Sequence, residues 1–276
     1  MKLMVRTDME GASGVVNYRQ AEVGAPEYAE GLRYFLSDLS ALLRGLGNNE
    51  IHIYDEHYYG RNIPLDALPA GVRLYYGKPP YRPDWAGGLD TSFDGLILLG
   101  FHAKAGTAGS LLPHSYELDI ADIRVNGTSV GEVGLETMIA WELKVPLLLC
   151  VGDDGACAEA RQLAPGVVCA ETKKSFCGTG GLVYPLAETA AIIEAAAAKA
   201  LTQAAAAPLM VKNPEVAIDL AAGVYRDAFV RRFPTWIKHG TVLLRQPTVC
   251  AAWAQYWQMK LDTQAFLEGG GNGISN

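Results

Sequence analysis

Four short apolar runs, each closing on an acid or a histidine, most constrain what this chain can fold into. "KLMV" leads into Arg6 to Gly11, which carries Asp8 and Glu10. "EIHIY" closes on Asp55, Glu56 and His57; "DGLILLGF" closes on His102; "VPLLLCVG" closes on Asp153 and Asp154. Runs of this length and apolarity, bounded by Gly, Pro and Asn, read as buried strands. The segment Glu27 to Leu46 has helical spacing instead, with Tyr28, Leu32, Phe35 and Leu39 on one face and Gly47 as its stop. Strand, helix, strand in this order predicts an α/β fold: a partly parallel sheet flanked by helices in three layers. The carboxyl ends of parallel strands share one sheet edge, where such proteins bind ligands.

Between these runs the chain is punctuated. Gly11 to Pro26 reads as a loop, and "GKPPYRPDW" has three prolines in nine residues, too many for helix or central strand. Val72 to Tyr76 is a short strand or edge, and Gly106 to Pro113 a flexible loop. Asn126-Gly127 predicts a hairpin, followed by a helix from Gly131 to Lys144. Pro146 to Gly152 continues as strand, Ala156 to Leu163 as helix, and Val167 to Ala170 as a short strand. The Ala-rich stretch Leu186 to Pro208 carries Glu188, Glu194 and Lys199 and reads as a soluble helix rather than a membrane span. "AAAAPLMVKNP" then marks a boundary. Residues 1–206 are expected to form the metal-binding α/β domain, and 207–276 a small α+β domain completing the cleft or an oligomer interface. Within it, Glu215 to Leu220 reads as strand, Val224 to Phe233 as helix, the residues around His239-Gly240 as a strand pair, and Thr248 to Leu267 as helix. "GGGNGISN" at 269–276 is expected to be disordered.

Composition removes several classes of function. A net charge of −7 without any Lys/Arg cluster argues against nucleic acid, and the helices are too polar for a membrane partner. The cysteines, Cys150, Cys157, Cys169, Cys177 and Cys250, are five in number and form no C-x-x-C pair. With no secretory leader, they predict reduced thiols and a cytoplasmic protein.

Asp8 and Glu10 stand two residues apart, so in extended chain they point the same way. Two acids so placed repel and require a cation or a shared proton. Each candidate has an ordinary reading alone: Asp8 as a cap, His57 and His102 as packed histidines, Glu132 as a carboxylate complementing a helix dipole. His52 alternates inside a strand and His239 sits in a hairpin; neither needs a role. Together, three chain-distant strand ends bearing acid and imidazole favour a metal site, to which Glu132 adds a third carboxylate. Five such ligands exceed one tetrahedral zinc with an open position. They suit two ions sharing a carboxylate, about 3.5–4 Å apart. Two divalent ions against three carboxylates leave one positive charge, which a bridging hydroxide neutralises while serving as nucleophile. The chemistry so implied is metal-assisted hydrolysis.

The blocks "DMEG", "DEH", "LLGFHAKAGT", "PHSYE", "VNGTSVGEVGLE" and "VGDD" occur in the order found in the D-aminopeptidase family of the bacterial dipeptide-transport operon, and the chain resembles that family over nearly its whole length. The resemblance implies that Asp8 bridges two zinc ions, that Glu10, His57, His102 and Glu132 complete their shells, and that His114 is the catalytic histidine. It also implies a ring-like homo-oligomer, a decamer, that removes N-terminal residues from short peptides. Zinc is the first choice of metal, although manganese or cobalt suits the same donors. His114 on its own is either an exposed loop residue or a group that folds over the metals to polarise a carbonyl or shuttle a proton. Asp153 and Asp154 are candidates for the substrate ammonium or for bonds to a metal-bound histidine, with helix capping as the ordinary reading. Lys104 reads as an exposed lysine. Two features depart from the family. Arg6 replaces a serine two residues before Asp8, and "KKSFCGTGGLVYP" offers Gly178, Thr179, Gly180 and Gly181 where an arginine-containing pattern is expected. They motivate a second function, a di-metal amidase on a small non-peptide amide; a third, a non-catalytic, metal-stabilised peptide-binding oligomer, is opposed by the intact ligand set and His114.

Overall fold

Residues 1–268 are described by the computed structural model; the expected disorder of 269–276 lies outside them. The chain runs β1 (Lys2–Thr7), α1 (Tyr28–Leu46), β2 (Glu50–Asp55), β3 (Arg73–Tyr75), β4 (Gly95–Phe101), β5 (Ile120–Val125), β6 (Thr128–Val130) and α2 (Glu132–Glu142). It continues through β7 (Leu147–Asp153), α3 (Asp154–Leu163), β8 (Val168–Cys177), β9 (Gly180–Val183) and α4 (Leu186–Ala200). The last elements are β10 (Glu215–Leu220), α5 (Val224–Arg232), β11 (Ile237–Lys238), β12 (Thr241–Arg245) and α6 (Val249–Glu268).

The four apolar runs lie side by side in a seven-stranded sheet, ordered β3-β2-β1-β4-β7-β8-β9 and parallel except for β9. Every residue of β4 and β7 is buried, as expected of strands covered on both faces. The period of two divides each strand between two cores. Leu3, Val5, Ile97 and Leu99 pack towards α1 and α4, while Met4, Leu96 and Leu98 pack towards α2 and α6. The expected three-layer α/β architecture is the one observed.

A second, antiparallel sheet runs β11-β12-β10-β5-β6. The β5–β6 hairpin turns at Asn126 and Gly127, whose φ angles of 48° and 81° are those its tight turn requires. β10 then pairs with β5, Val216 opposite Val125. The segment after residue 206 therefore shares its sheet with a hairpin from before it, and one apolar core runs through both. The sequence boundary at 206/207 does not coincide with a break between sheets, because β5 leaves an edge that only β10 fills. Two elements differ in length from the reading above. The Ala-rich helix ends at Ala200, where Thr202 and Gln203 turn back onto the Lys199 carbonyl. The strand starting near Val168 continues to Cys177 because β9 pairs with its second half. No helix among the described residues is long and apolar enough to cross a membrane.

The ends of β1 and β4 touch closely. Asp8 N–H donates to the Leu99 carbonyl at 2.9 Å and Gly11 N–H to the Gly100 carbonyl at 2.7 Å. A Cβ on Gly11 would lie 1.6 Å from the Phe101 carbonyl oxygen, and one on Gly100, whose φ is +79°, 2.0 Å from that of Asp8. Only glycine lets the two strand ends approach so closely, which sets Asp8 and Glu10 beside His102. Gly11→Ala is expected to destabilise the fold by about 2–3 kcal/mol through this backbone clash. Urea denaturation reads the effect, and an unchanged midpoint would contradict the close approach.

Candidate metal centre

Asp8 and Glu10 follow β1, His57 follows β2, His102 follows β4, and Glu132 opens α2. All five are buried at the carboxyl edge of the parallel sheet. α2 starts where it does because Glu159 of α3 accepts from the N–H groups of Gly131 (2.6 Å) and Gly134 (3.0 Å), donors that the start of a helix leaves without an intrahelical partner. That fixes Glu132, whose Oε1 lies 3.2 Å from His102 Nε2.

The carboxylate of Asp8 faces two ways. Its Oδ1 lies 3.0 Å from His57 Nδ1, which is also 3.1 Å from Glu10 Oε2. Its Oδ2 lies 3.3 Å from His102 Nε2, the atom next to Glu132. Donor atoms about 3.3 Å apart are the edges of a tetrahedron with zinc-to-ligand bonds of about 2.0–2.1 Å. Among the described residues, Asp8, Glu10 and His102 form one trio with donor atoms within 4.8 Å of one another, and His102, His114 and Glu132 form another. His57 joins through its own contacts to Asp8 and Glu10. Asp8 Oδ2, Glu10 Oε2 and His102 Nε2 are buried without a hydrogen bond of acceptable geometry, as atoms reserved for a cation are. The donor set fits divalent metal.

Each imidazole is oriented through its other nitrogen. His57 Nε2 bonds the Ala21 carbonyl (2.6 Å), His102 Nδ1 that of Ala103 (2.9 Å), and His114 Nδ1 that of Leu112 (2.9 Å). A carbonyl demands N–H, so the opposite nitrogen is the one offered to the cluster. His114 stacks on His102, ring centres 4.0 Å apart and planes within 2°, with its Nε2 3.9 Å from Glu10 Oε1. Without metal, burial works against charged imidazole, but the carboxylates outweigh it. Glu10 and Asp8 hold His57, and Glu132 and Asp8 hold His102, well above the usual histidine range. Burial likewise opposes charge on Asp8, and the two histidines overcome it, holding the carboxyl well below its ordinary value.

The loop after β1 is held from beneath. Lys173 of β8, fully buried, donates to the carbonyls of Glu10, Ala12 and Val15, and Thr172 Oγ1 to that of Gly11 at 2.6 Å. Burial lowers Lys173 to about 8, against the opposing pull of Asp153 and Asp38. Asp38 of α1 takes the N–H and hydroxyl of Ser13, both at 2.7 Å.

Asp153 and Asp154 do not reach the substrate side. Asp153 caps α3 through the Ala156 N–H (2.8 Å) and takes the Ala103 N–H (3.1 Å), so it steadies the chain beside His102. Asp154 binds Ser175 in the β8–β9 hairpin. Helix capping holds for Asp153; ammonium binding holds for neither, since Asp153 has both oxygens engaged and neither residue lines the cleft. His52 packs edge-on to Phe93 away from the cluster, and Lys104 is tied to Ser129.

A cleft of about 720 Å³ opens over the cluster, lined by Asp8, Glu10, His57, His114 and Glu132 and walled by tyrosines and by Trp253 and Trp257 of α6. Sequence reasoning missed the ionic group beneath it. Arg6 is fully buried, with Nη1 donating to Glu56 Oε1 at 2.8 Å and Nη2 to the Ala86 carbonyl at 2.6 Å. Tyr81 hydroxyl lies 2.7 Å from Glu56 and 2.9 Å from Glu136. One O–H serves only one acid; burial, then Glu136, pushes Glu56 up to about 8. Glu136 was legible only as the residue one turn beyond Glu132 on α2.

A family profile described as D-aminopeptidase matches residues 1–254. The chain is 32% identical over 181 residues to a D-aminopeptidase of Bacillus subtilis (strain 168), an alignment covering 64% of this chain and 65% of that protein. Its fold is similar to that of a solved structure, the Zn-dependent D-aminopeptidase DppA from Bacillus subtilis, described as a self-compartmentalizing protease. There the TM-score is 0.87 at 26% identity, covering 96% of this chain and 98% of the other.

Two outcomes follow from the site. Zinc binding to metal-free protein must expel the protons that His57 and His102 hold, so apparent affinity rises with pH. Calorimetry in buffers of different ionisation enthalpy is expected to show release of at least one proton per chain near neutral pH; none would contradict it. Arg6→Ser leaves Glu56 and Glu136 without their buried cation and is expected to cost about 3–5 kcal/mol, measured by urea denaturation.

Proposed function

The chain belongs to the D-aminopeptidase family, and from that premise we propose that it is a metal-dependent aminopeptidase releasing the N-terminal residue of short peptides or aminoacyl amides, with preference for D residues. One observation carries this reading: the two oxygens of Asp8 divide between a His57–Glu10 side and a His102–Glu132 side. That arrangement would hold two ions per chain, His57 and Glu10 serving one side of Asp8 and His102 and Glu132 the other. Zinc is favoured by the description of the similar DppA structure, and manganese or cobalt suits the donors too.

When bound, such ions polarise a carbonyl and acidify water near neutral pH. The remaining work falls to the chain. His114, its Nδ1–H held by Leu112, offers Nε2 at the cleft edge to take a proton from the attacking water and return it to the leaving amine. Its flat stacking on His102 fixes the ring plane. Trp253 and Trp257 of α6 line the same cleft, which supports a role for residues after 206 in completing it. A ring-like homo-oligomer, a decamer, is proposed from the likeness to a self-compartmentalizing protease, and exposed Phe176, Leu182 and Val183 on the β8–β9 hairpin suit a contact between copies. Five unpaired cysteines suit a cytoplasmic setting.

Initial rates on matched D- and L-aminoacyl anilides, with and without chelator, test the proposal. Chelator-sensitive cleavage of the D substrate is expected, and Glu132→Ala should lower kcat/KM by more than about 100-fold with an unchanged circular dichroism spectrum. Full activity in that variant would sink the metal-centred mechanism, and cleavage confined to L substrates would sink the D preference.

A further inference from the structure

Beyond its metal-binding groups the cleft is acidic: Glu22, Glu56 and Glu117 line it, and Lys78 is the one lysine or arginine among its lining residues. Two of those acids are already matched, Glu56 by Arg6 at 2.8 Å and Glu117 by Lys260 at 2.9 Å. Lys78 has no carboxylate partner among the described residues. Its Nζ donates to a backbone oxygen, the carbonyl of Glu56, and lies 5.9 Å from the centre of the Trp257 ring. An ammonium carries three donors, so capacity remains for an anion.

The backbone holds this cation in place. Lys78 has φ +46°, a left-handed conformation that a non-glycine residue keeps only where its surroundings enforce it. Gly77 N–H donates to the Gly60 carbonyl at 2.8 Å, and Tyr54 hydroxyl to the Pro79 carbonyl at 2.6 Å, pinning the chain on either side. A Cβ on Gly60 would stand 2.6 Å from Lys78 N, so that turn is packed against the lysine. The carbonyl that anchors Nζ belongs to the residue before His57. The ammonium thus stands beside the chain that carries a cluster histidine, in the cleft that Asp8, Glu10, His57 and Glu132 also line. In a dipeptide whose scissile carbonyl meets the cluster, the terminal carboxylate lies three bonds further along, within the same cleft.

We propose that Lys78 binds the C-terminal carboxylate of the substrate, making this enzyme selective for free dipeptides over the amides of the same dipeptides. The proposal rests on the aminopeptidase reading and sharpens it: that reading leaves peptides and amides both admissible, and a fixed cation separates them. A charge-assisted hydrogen bond in a partly desolvated cleft gives about tenfold or more in kcat/KM.

The test compares one dipeptide with its C-terminal amide, in the configuration the enzyme cleaves, on zinc-loaded wild type, Lys78→Met and Lys78→Arg. Wild type is expected to favour the free dipeptide by about tenfold or more, chiefly through KM. Lys78→Met should bring the ratio to about one, and Lys78→Arg should restore the preference. Because each ratio is taken within one preparation, partial misfolding of a variant cancels. A wild-type ratio near one, or a preference that survives Lys78→Met, would overturn the proposal while leaving the aminopeptidase reading intact. If wild type turns over neither compound, that reading fails, and thermal shifts with the same pair still judge the lysine. Stabilisation by the free dipeptide alone, lost in Lys78→Met, supports it; equal shifts from both compounds overturn it.

Discussion

Three carboxylates and two imidazoles share a buried space a few ångströms across, and the structure answers to that electrostatic load. Without a cation, repulsion among Asp8, Glu10 and Glu132 is met by protons on His57 and His102, at the expense of burying those charges. The donors nevertheless keep tetrahedral-edge spacing, and only His57 Nδ1 and Asp8 Oδ1 meet in a hydrogen bond, at 3.0 Å. Three of their atoms remain unmatched as a result. Such pre-strain is tolerable only where the backbone around it is over-determined.

The over-determination is visible on every side. Glycines at 11 and 100 bring the ends of β1 and β4 into contact, Lys173 gathers three carbonyls of the loop after β1, and Asp38 ties the same loop to α1 through Ser13. Glu159 sets the first turn of α2 and Asp153 steadies the chain after His102. Beneath the cleft, Arg6 repeats the pattern with opposite sign, one cation held among two acids and the faces of Tyr54 and Tyr81. These groups do not touch the expected substrate position; they decide where the groups that do are found.

Much of this was readable from the chain, for physical reasons. Parallel strands buried on both faces must be continuously apolar, so β1, β2, β4 and β7 announce themselves, and the residues at which they stop fall on one edge. Asn126-Gly127 marks its hairpin because few other pairs accept both left-handed angles. What escaped is pairing across long separations. Nothing in "ETKKSF" distinguishes Lys173, which is buried, from Lys174, which is not, and nothing near Arg6 names Glu56 or Glu136 as its partners. The assignment of β5 and β6 to the second sheet was hidden likewise, since alternation specifies a face and not a neighbour.

That last assignment bears on how the chain is made. β5 and β6 leave the ribosome well before β10, and the strand that will flank β5 arrives only after some ninety further residues. During that interval β5 presents an open row of backbone donors and acceptors, a template for pairing with another nascent copy. The parallel sheet, complete by β9, is able to form meanwhile; the wall of the cleft carried by α6 is the last part to close. Synthesis thus leaves an open edge at the very element that later joins the two halves of the molecule, and that edge is covered only when β10 pairs with it.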